Sequence, residues 1–293
     1  ISTEIGDKSG IASNNGNLGE VYQSLGEYRK AIDFTEKCFQ ISIEIGDQSA
    51  TAISYGNLGN AYLSLGEFQK AIDNHEKGLQ ISTEISHKSE IASGNSNLGD
   101  SFFSLADYQK AIDCYENGLR INTEIGARSG IARSNGSLGK AYCSLGDYQK
   151  AMDHSKKGLQ ISTEIGDRSG IAINNRILGN VYLSRKNYQK AMYHYEKALE
   201  ISTDIGDRSE IATNMGNMGS AYHALGGYQK AIDFSKQGLR ISTEIAFRSG
   251  IASNSRNLGD AYLCLGGYQK AIEYTEESLK ISTEIGDRSG IAS

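Results

Sequence analysis

The sequence predicts an all-α solenoid of stacked two-helix units, and three observations predict it. First, the 293 residues fall into seven rows of forty plus thirteen residues, with no insertion or deletion between rows. Row position 19 is Gly19, Gly59, Gly99, Gly139, Gly179, Gly219 and Gly259, and position 31 is Ala31, Ala71, Ala111, Ala151, Ala191, Ala231 and Ala271. Such fixed-period self-similarity is the signature of units that bury their apolar faces on one another. Second, proline is absent, where average usage near 5% would give about fifteen. Third, apolar residues recur at three- and four-residue steps, which is one face of a helix. The chain therefore reads as a single array over residues 1–293, not as the roughly two globular domains its length alone implies.

Each element follows from this pattern. In the second row, Ile53, Leu58, Ala61, Tyr62 and Leu65 mark a first helix. Gly66-Glu67 breaks it, and Phe68, Ala71, Ile72, His75, Leu79 and Ile81 carry a second one. Between rows, Gly46-Asp47, Gly166-Asp167, Gly206-Asp207 and Gly286-Asp287 fit a left-handed glycine that closes one helix and an aspartate that caps the next. Ser86-His87, Gly126-Ala127 and Ala246-Phe247 lack the aspartate, so Ser89, Ser129 and Ser249 are expected as substitute caps, and these joints are expected to fray first. The first helix carries glycines such as Gly56 and Gly59, each costing up to about 1 kcal/mol against alanine. Close packing has to compensate, with the small residues at positions 19 and 31 letting the two helices of a unit approach.

Composition narrows the functional classes. Thirty basic against 35 acidic residues give a net charge of −5, which argues against a surface that coats nucleic acid. No apolar run approaches the roughly eighteen to twenty residues of a membrane span, and no leader-like pattern opens the sequence. Four scattered cysteines point to a reducing compartment, so a cytoplasmic protein is expected. The sequon Asn135-Gly136-Ser137 falls inside a predicted helix and is not expected to be used.

Catalysis, metals and cofactors are not expected. Cys143 and Cys264 occupy adjacent row positions but stand three rows apart, at roughly 10 Å per unit. Cys38 and Cys114 read as small fillers in second helices. His154 and His194 share a register without the third ligand a zinc site needs. Asp33 with Lys37 and Asp73 with Lys77 are spaced for ion pairs on an outer surface. Tyr22, Tyr62, Tyr142 and Tyr222 form one packing register. The glycines of "GNLGNAY" follow no strand and serve helix contact, not a nucleotide.

Leu138-Gly139, Tyr142, Leu145-Gly146-Asp147-Tyr148 and Ala151 carry a pattern that all seven rows obey, and it resembles the tetratricopeptide repeat. The resemblance implies helix-turn-helix units wound into a right-handed superhelix that serves protein interaction. Two features depart from the common form: the early aromatic is replaced by Asn15, Asn95, Asn135 and Asn175, and the closing proline by Thr83, Thr163 and Thr203. Without that proline the second helix can run on through "ISTEI", which explains a period of forty. The long period, the Gly-Asp-Arg joint and "NLGNAY" at Asn57 to Tyr62 resemble the Pins/LGN subgroup of adaptors. That resemblance implies extended partner peptides held by asparagines and arginines on a concave wall of first helices. Asn57, Asn97, Asn217 and Asn257 match one asparagine position, Asn60 and Asn180 another, and Arg133 matches the arginine position where other rows depart.

Helical geometry alone places positions 13, 16, 17, 20, 23 and 24 opposite the partner helix, and there the rows differ most. The expected groove is Asn17, Glu20, Asn57, Asn60, Asn97, Asp100, Arg133, Lys140, Arg176, Asn180, Asn217, Arg256, Asn257 and Asp260. Asparagine amides can pair with a peptide main chain whatever its side chains. Arg133, Lys140, Arg176 and Arg256 lie in the carboxyl-terminal half and Glu20 in the first row, so a protein or peptide ligand with acidic residues toward the basic end is expected. The competing reading is a solvated face that drifts. Two rival functions stand beside the scaffold. One is an array that stacks head to tail through uncapped ends, or a fragment of a longer array. The other is the regulatory array of a larger enzyme.

Overall fold

A computed structural model of the chain describes residues 7–286, all of whose regular structure is α-helical. Seven helix pairs follow the seven rows: α1 Lys8–Ser24 with α2 Tyr28–Ile45, α3 Gln48–Ser64 with α4 Phe68–Glu84, and α5 Lys88–Ser104 with α6 Tyr108–Glu124. The remaining four are α7 Arg128–Leu145 with α8 Tyr148–Ile165, α9 Arg168–Ser184 with α10 Tyr188–Ile205, α11 Arg208–Ala224 with α12 Tyr228–Glu244, and α13 Arg248–Cys264 with α14 Tyr268–Glu284. The helices form two compact units, one ending at Ala127 and one beginning at Arg128. Within each unit every helix packs on the next, and successive first helices also touch: α1 with α3 and α3 with α5, then α7 with α9, α9 with α11 and α11 with α13. First helices thus form the tighter, inner layer of each solenoid unit. The second helices do run on into the "ISTE" segment, α2, α8 and α10 as far as the following isoleucine, as the missing proline allows.

Turns follow the glycine pattern. In the row-two turn, Gly66 is left-handed at φ 76°, its N–H donates to the Leu63 carbonyl at 3.1 Å, and Glu67 N–H donates to Tyr62 at 2.9 Å. This satisfies carbonyls that the helix end leaves unpaired. At the joints Gly46, Gly166 and Gly206 close helices in the left-handed region, and Asp47, Asp167 and Asp207 accept from amides of the next first turn. The Asp287 cap lies outside the described residues, as do both sequence ends. Two of the expected substitute caps, Ser89 and Ser249, are a correction. His87 and Phe247, at the cap positions before α5 and α13, make no side-chain cap, and the Ser89 hydroxyl instead meets His87 Nδ1 at 3.3 Å. A serine two residues into the segment is too far round the first turn to replace an aspartate at its head.

The glycine-alanine contact is as tight as the sequence requires. A Cβ on Gly139 would overlap the Ser155 hydroxyl and lie 3.2 Å from the Ala151 carbonyl, and on Gly99 or Gly179 it would enter the ring of Tyr115 or Tyr195. Ala71, Ala111, Ala151 and Ala191 have no exposed surface. The tyrosine register is only partly core. Each ring at position 22, from Tyr22 to Tyr262, is roofed by the lysine at position 30, with Nζ 5.0–5.3 Å from the centroid. At exposed sites such contacts are only weakly attractive.

The charge pairs are not those the spacing predicts. Lys37 lies over the Phe34 ring at 4.6 Å, Lys77 over Tyr55 at 5.8 Å, and Asp73 accepts from Gln69. Ion pairs run between rows instead: Lys8 with Glu44, Lys88 with Glu124, Arg128 with Glu164, Arg168 with Asp204, Arg208 with Glu244 and Arg248 with Glu284. The basic residue of the Gly-Asp-Arg joint therefore clasps the end of the following second helix. About half exposed, these pairs are screened by water and add little to stability.

Candidate protein-interaction surface

On the inner layer, positions 13, 17, 20 and 24 form the outward stripe, and position 16 does not. Ser96, Gly136 and Gly216 are buried where successive first helices meet. Arg176 is correspondingly turned into the contact of α9 with α11. Its Nε donates to both carboxylate oxygens of Glu210, at 2.8 and 3.2 Å, with the side chains only 16% and 14% exposed. Arg256, in the same register, is half-buried and already engaged. These two cations do not stand in an open groove. The next row covers position 16, which a face count on one isolated helix cannot register.

The asparagines at position 17 are partly spent within the array. Asn257 Nδ2 donates to the Gly216 carbonyl at 2.9 Å, and Asn57 Nδ2 to Glu20 Oε1 at 3.3 Å, each reaching back one row. Asn97 and Asn217 are half-buried and Asn17 is exposed. Asn217 Nδ2 is buried with no partner among the described residues.

Position 20 divides by what stands behind it. Asn60 Oδ1 meets His75 Nε2 at 3.2 Å, Asp100 Oδ1 accepts from the Tyr115 hydroxyl at 2.6 Å, and Asn180 Oδ1 from the Tyr195 hydroxyl at 2.8 Å. Where position 35 is the smaller Thr35, Ser155, Ser235 or Thr275, position 20 is Glu20, Lys140, Ser220 or Asp260. Of these, Glu20, Lys140 and Asp260 are exposed, as is Arg133 at position 13. The pairing of positions 20 and 35 was legible as covariation between rows, and the expected groove list missed it. Burial holds the His75 imidazole down at about 4 and raises the phenols of Tyr115 and Tyr195. All three are structural partners and remain neutral.

The asparagines that replace the early aromatic have partners too. Asn135 and Asn175 accept at Oδ1 from Nδ1 of His154 and His194, at 3.0 and 2.9 Å, and both imidazoles stack on Tyr142 and Tyr182. A histidine held this way at one nitrogen and one face is a packing element. Among the described residues no group of three or more His, Cys, Asp or Glu is placed to hold a metal ion. No described helix is long and apolar enough to cross a membrane. Burial pushes the Cys114 thiol up to about 11 and raises that of Cys143, away from a reactive thiolate.

Two-helix units closed by a glycine contact, with a polar stripe on their first helices, define a helical-repeat scaffold. Residues 10–84, 90–164 and 171–244 match the tetratricopeptide repeat family, more than half of the chain, and the protein belongs to that family. No curated protein matches it in sequence. Among solved structures it is similar to apo RapI, with a TM-score of 0.75 at 17% identity over 94% of this chain and 98% of that one. It is also similar to a Rap protein complexed with competence and sporulation factor, with a TM-score of 0.70 at 18% identity over 96% and 78% of the two chains. A third likeness is to the Rap conjugation gene regulator of the plasmid pLS20 in complex with a Phr peptide, with a TM-score of 0.77 at 17% identity over 98% and 77%. At these identities the likeness is one of fold.

Proposed function

We propose that the protein is a non-catalytic, cytoplasmic scaffold that holds extended segments of partner proteins along the first-helix stripe of its units. One observation carries this reading: positions 13, 17 and 20 keep Asn17, Glu20, Asp100, Arg133, Lys140 and Asp260 exposed on the first helices, within reach of a ligand even where, as for Glu20 and Asp100, one oxygen already accepts from a neighbouring side chain. Asn57, Asn97, Asn217 and Asn257 add amide groups along the same line, the register that resembles Pins/LGN-type adaptors. The peptide complexes of two Rap structures of the same fold support a peptide-sized ligand. Arg133 and Lys140 share the first helix of row four, so acidic residues in the ligand are placed against α7.

The test is display of proteome-derived peptides on the whole chain and on an Arg133→Ala, Lys140→Ala variant. The expected result is enrichment of acidic segments by the parent, lost in the variant with helicity unchanged. Recovery of the same peptides by both proteins would remove the stripe as the docking surface.

A further inference from the structure

A cleft of about 400 Å³ opens in the second unit between α8 and the turn joining α9 to α10, lined by Met152, Lys156, Tyr182, Arg185, Asn187 and Lys190. Three of the six lining residues are cations and none is an acid. Its size is that of a small-ligand site, for which about 300–1,000 Å³ is usual, and it shares no residue with the first-helix stripe.

The sequence shows how this charge is left over. In other rows the turn reads leucine, then a left-handed residue, then an acid or glycine. In row five alone it reads Arg185-Lys186-Asn187. In row four Asp147 serves twice: Oδ1 accepts from the Lys150 amide at 3.1 Å, and Oδ2 stands 3.6 Å from Lys150 Nζ. Glu27, Glu67 and Asp107 likewise pair with the ammonium groups of Lys30, Lys70 and Lys110, though Glu27 and Glu67 give no side-chain cap. Asn187 keeps the cap, accepting from the Lys190 amide at 3.3 Å, but has no charge to offer the ammonium group. Across the cleft, position 36 is glutamate in five rows but Lys156 here. Lys186 meanwhile takes the left-handed conformation at φ 58° that glycine fills in five other rows, a strain of the kind that gathers at functional sites. Among the described residues Lys156, Arg185 and Lys190 form no ion pair. Lys190 sits over the Tyr182 ring at 5.3 Å. His194, stacked on that ring at the same distance, is lowered first by burial and then by Lys156 and Lys190. Both ammonium groups therefore act on one spot.

A planar guanidinium and two ammonium groups lining one cleft, with a neutral amide and an aromatic wall, are a recognition set for a doubly charged tetrahedral anion. We propose that this cleft binds a phosphate monoester, carried as a phosphorylated side chain on a protein partner. Arg185 makes the paired hydrogen bonds to two phosphate oxygens, Lys156 and Lys190 neutralise the charge from either side, and Tyr182 covers the adjoining side chain. The site stands whether or not the stripe binds peptides. Its failure would leave the stripe untouched, because the two tests change different residues.

The experiment titrates a fluorescent phosphoserine peptide with neutral flanks, its unphosphorylated form, and inorganic phosphate as competitor, against the whole chain. The phosphopeptide is expected to bind at least about tenfold tighter than the plain peptide. That preference should vanish in Lys156→Glu, Arg185→Leu, which restores residues other rows carry at those positions and so keeps the fold. Asn187→Asp, which keeps the cap and gives Lys190 a partner, should weaken it in part. Lys236→Glu, the same register two rows on, should leave it intact. Displacement by inorganic phosphate at the affinity of the peptide would make the free ion the ligand of the same cleft. Equal binding of the two peptides without competition by phosphate would overturn the site, and so would a preference that survives the double variant or falls equally with Lys236→Glu.

Discussion

In the α7–α8 pair, Gly139 faces the Ser155 hydroxyl, position 20 is Lys140 and position 16 is Gly136. In the neighbouring α9–α10 pair, Gly179 faces the Tyr195 ring, position 20 is Asn180 bonded to that tyrosine, and position 16 is Arg176. The backbone plan is the same, and most differences come in sets that cancel. A larger residue at position 35 brings a polar partner at position 20. Arg176 at position 16 meets Glu210 at position 10 of the next row, whereas rows four and five carry Gly136 and Gly170 at those positions. The turn is different: Arg185 and Asn187 replace Leu145 and Asp147, Lys156 faces them, and no residue answers the added charge. In this array most variation between rows is compensated within the stack, and the row-five turn, where it is not, is the place on which the proposed phosphate site rests.

The shared glycine contact is the part of this comparison with the largest expected effect. Gly139→Leu forces a branched side chain into the Ser155 hydroxyl and the Ala151 carbonyl, and should cost about 3 kcal/mol or more. Gly179→Leu should cost at least as much, because the wall there is a fully buried Tyr195 ring and not a rotatable hydroxyl. Thermal melting of both variants measures this. A parent-like melting temperature for either would mean that the two helices do not need the glycine.

The second prediction carries the comparison into the first unit, where His75 occupies the register of Tyr195 and meets Asn60 as Tyr195 meets Asn180. Burial lowers the folded imidazole to about 4, against about 6.5 in the unfolded chain. Between those values the unfolded state binds the extra proton, so stability rises with pH across the window. It is full above about 6.5 and falls by up to about 3 kcal/mol as pH drops to 4. His75→Tyr copies the row-five solution and should flatten this slope in urea titrations at pH 4.5 and 7. A slope unchanged from the parent would show that the carboxylates alone produce it.

The two-helix plan and its glycine-marked joints were legible because their signals are local: a glycine at a turn, an aspartate at a first turn, and a small residue every forty positions. Much of the candidate surface was not. Helical periodicity says which residues oppose the partner helix, but the neighbouring rows decide which of those stay open: Arg176 at position 16 is turned inward and Ile177 at position 17 is buried, while Asn17 stays exposed. Buried asparagines were also invisible to an apolar count. Asn174, Asn214 and Asn254 are at most 2% exposed. Each donates Nδ2 to the carbonyl one turn earlier, and Asn174 lies against both Gly136 and Gly158 of the preceding row. A polar residue that fills a glycine notch reads as surface in sequence and as core in space.

The smallest effect comes from separating Arg176 from Glu210. Arg176→Ala leaves a carboxylate only 14% exposed facing a lost partner. Since neither side chain is fully sealed from water, the cost should be about 2 kcal/mol, below the 3–5 kcal/mol for breaking a fully buried pair. Arg176→Ala, Glu210→Ala removes both members, as rows four and five do with Gly136 and Gly170, and should recover more than half of the loss. A double-mutant cycle on urea unfolding reads the coupling directly. If the two single losses simply add, the arginine is not held by its neighbour. Position 16 would then return to the set of side chains available to a ligand, and compensation within the array would no longer separate structural variation from functional variation.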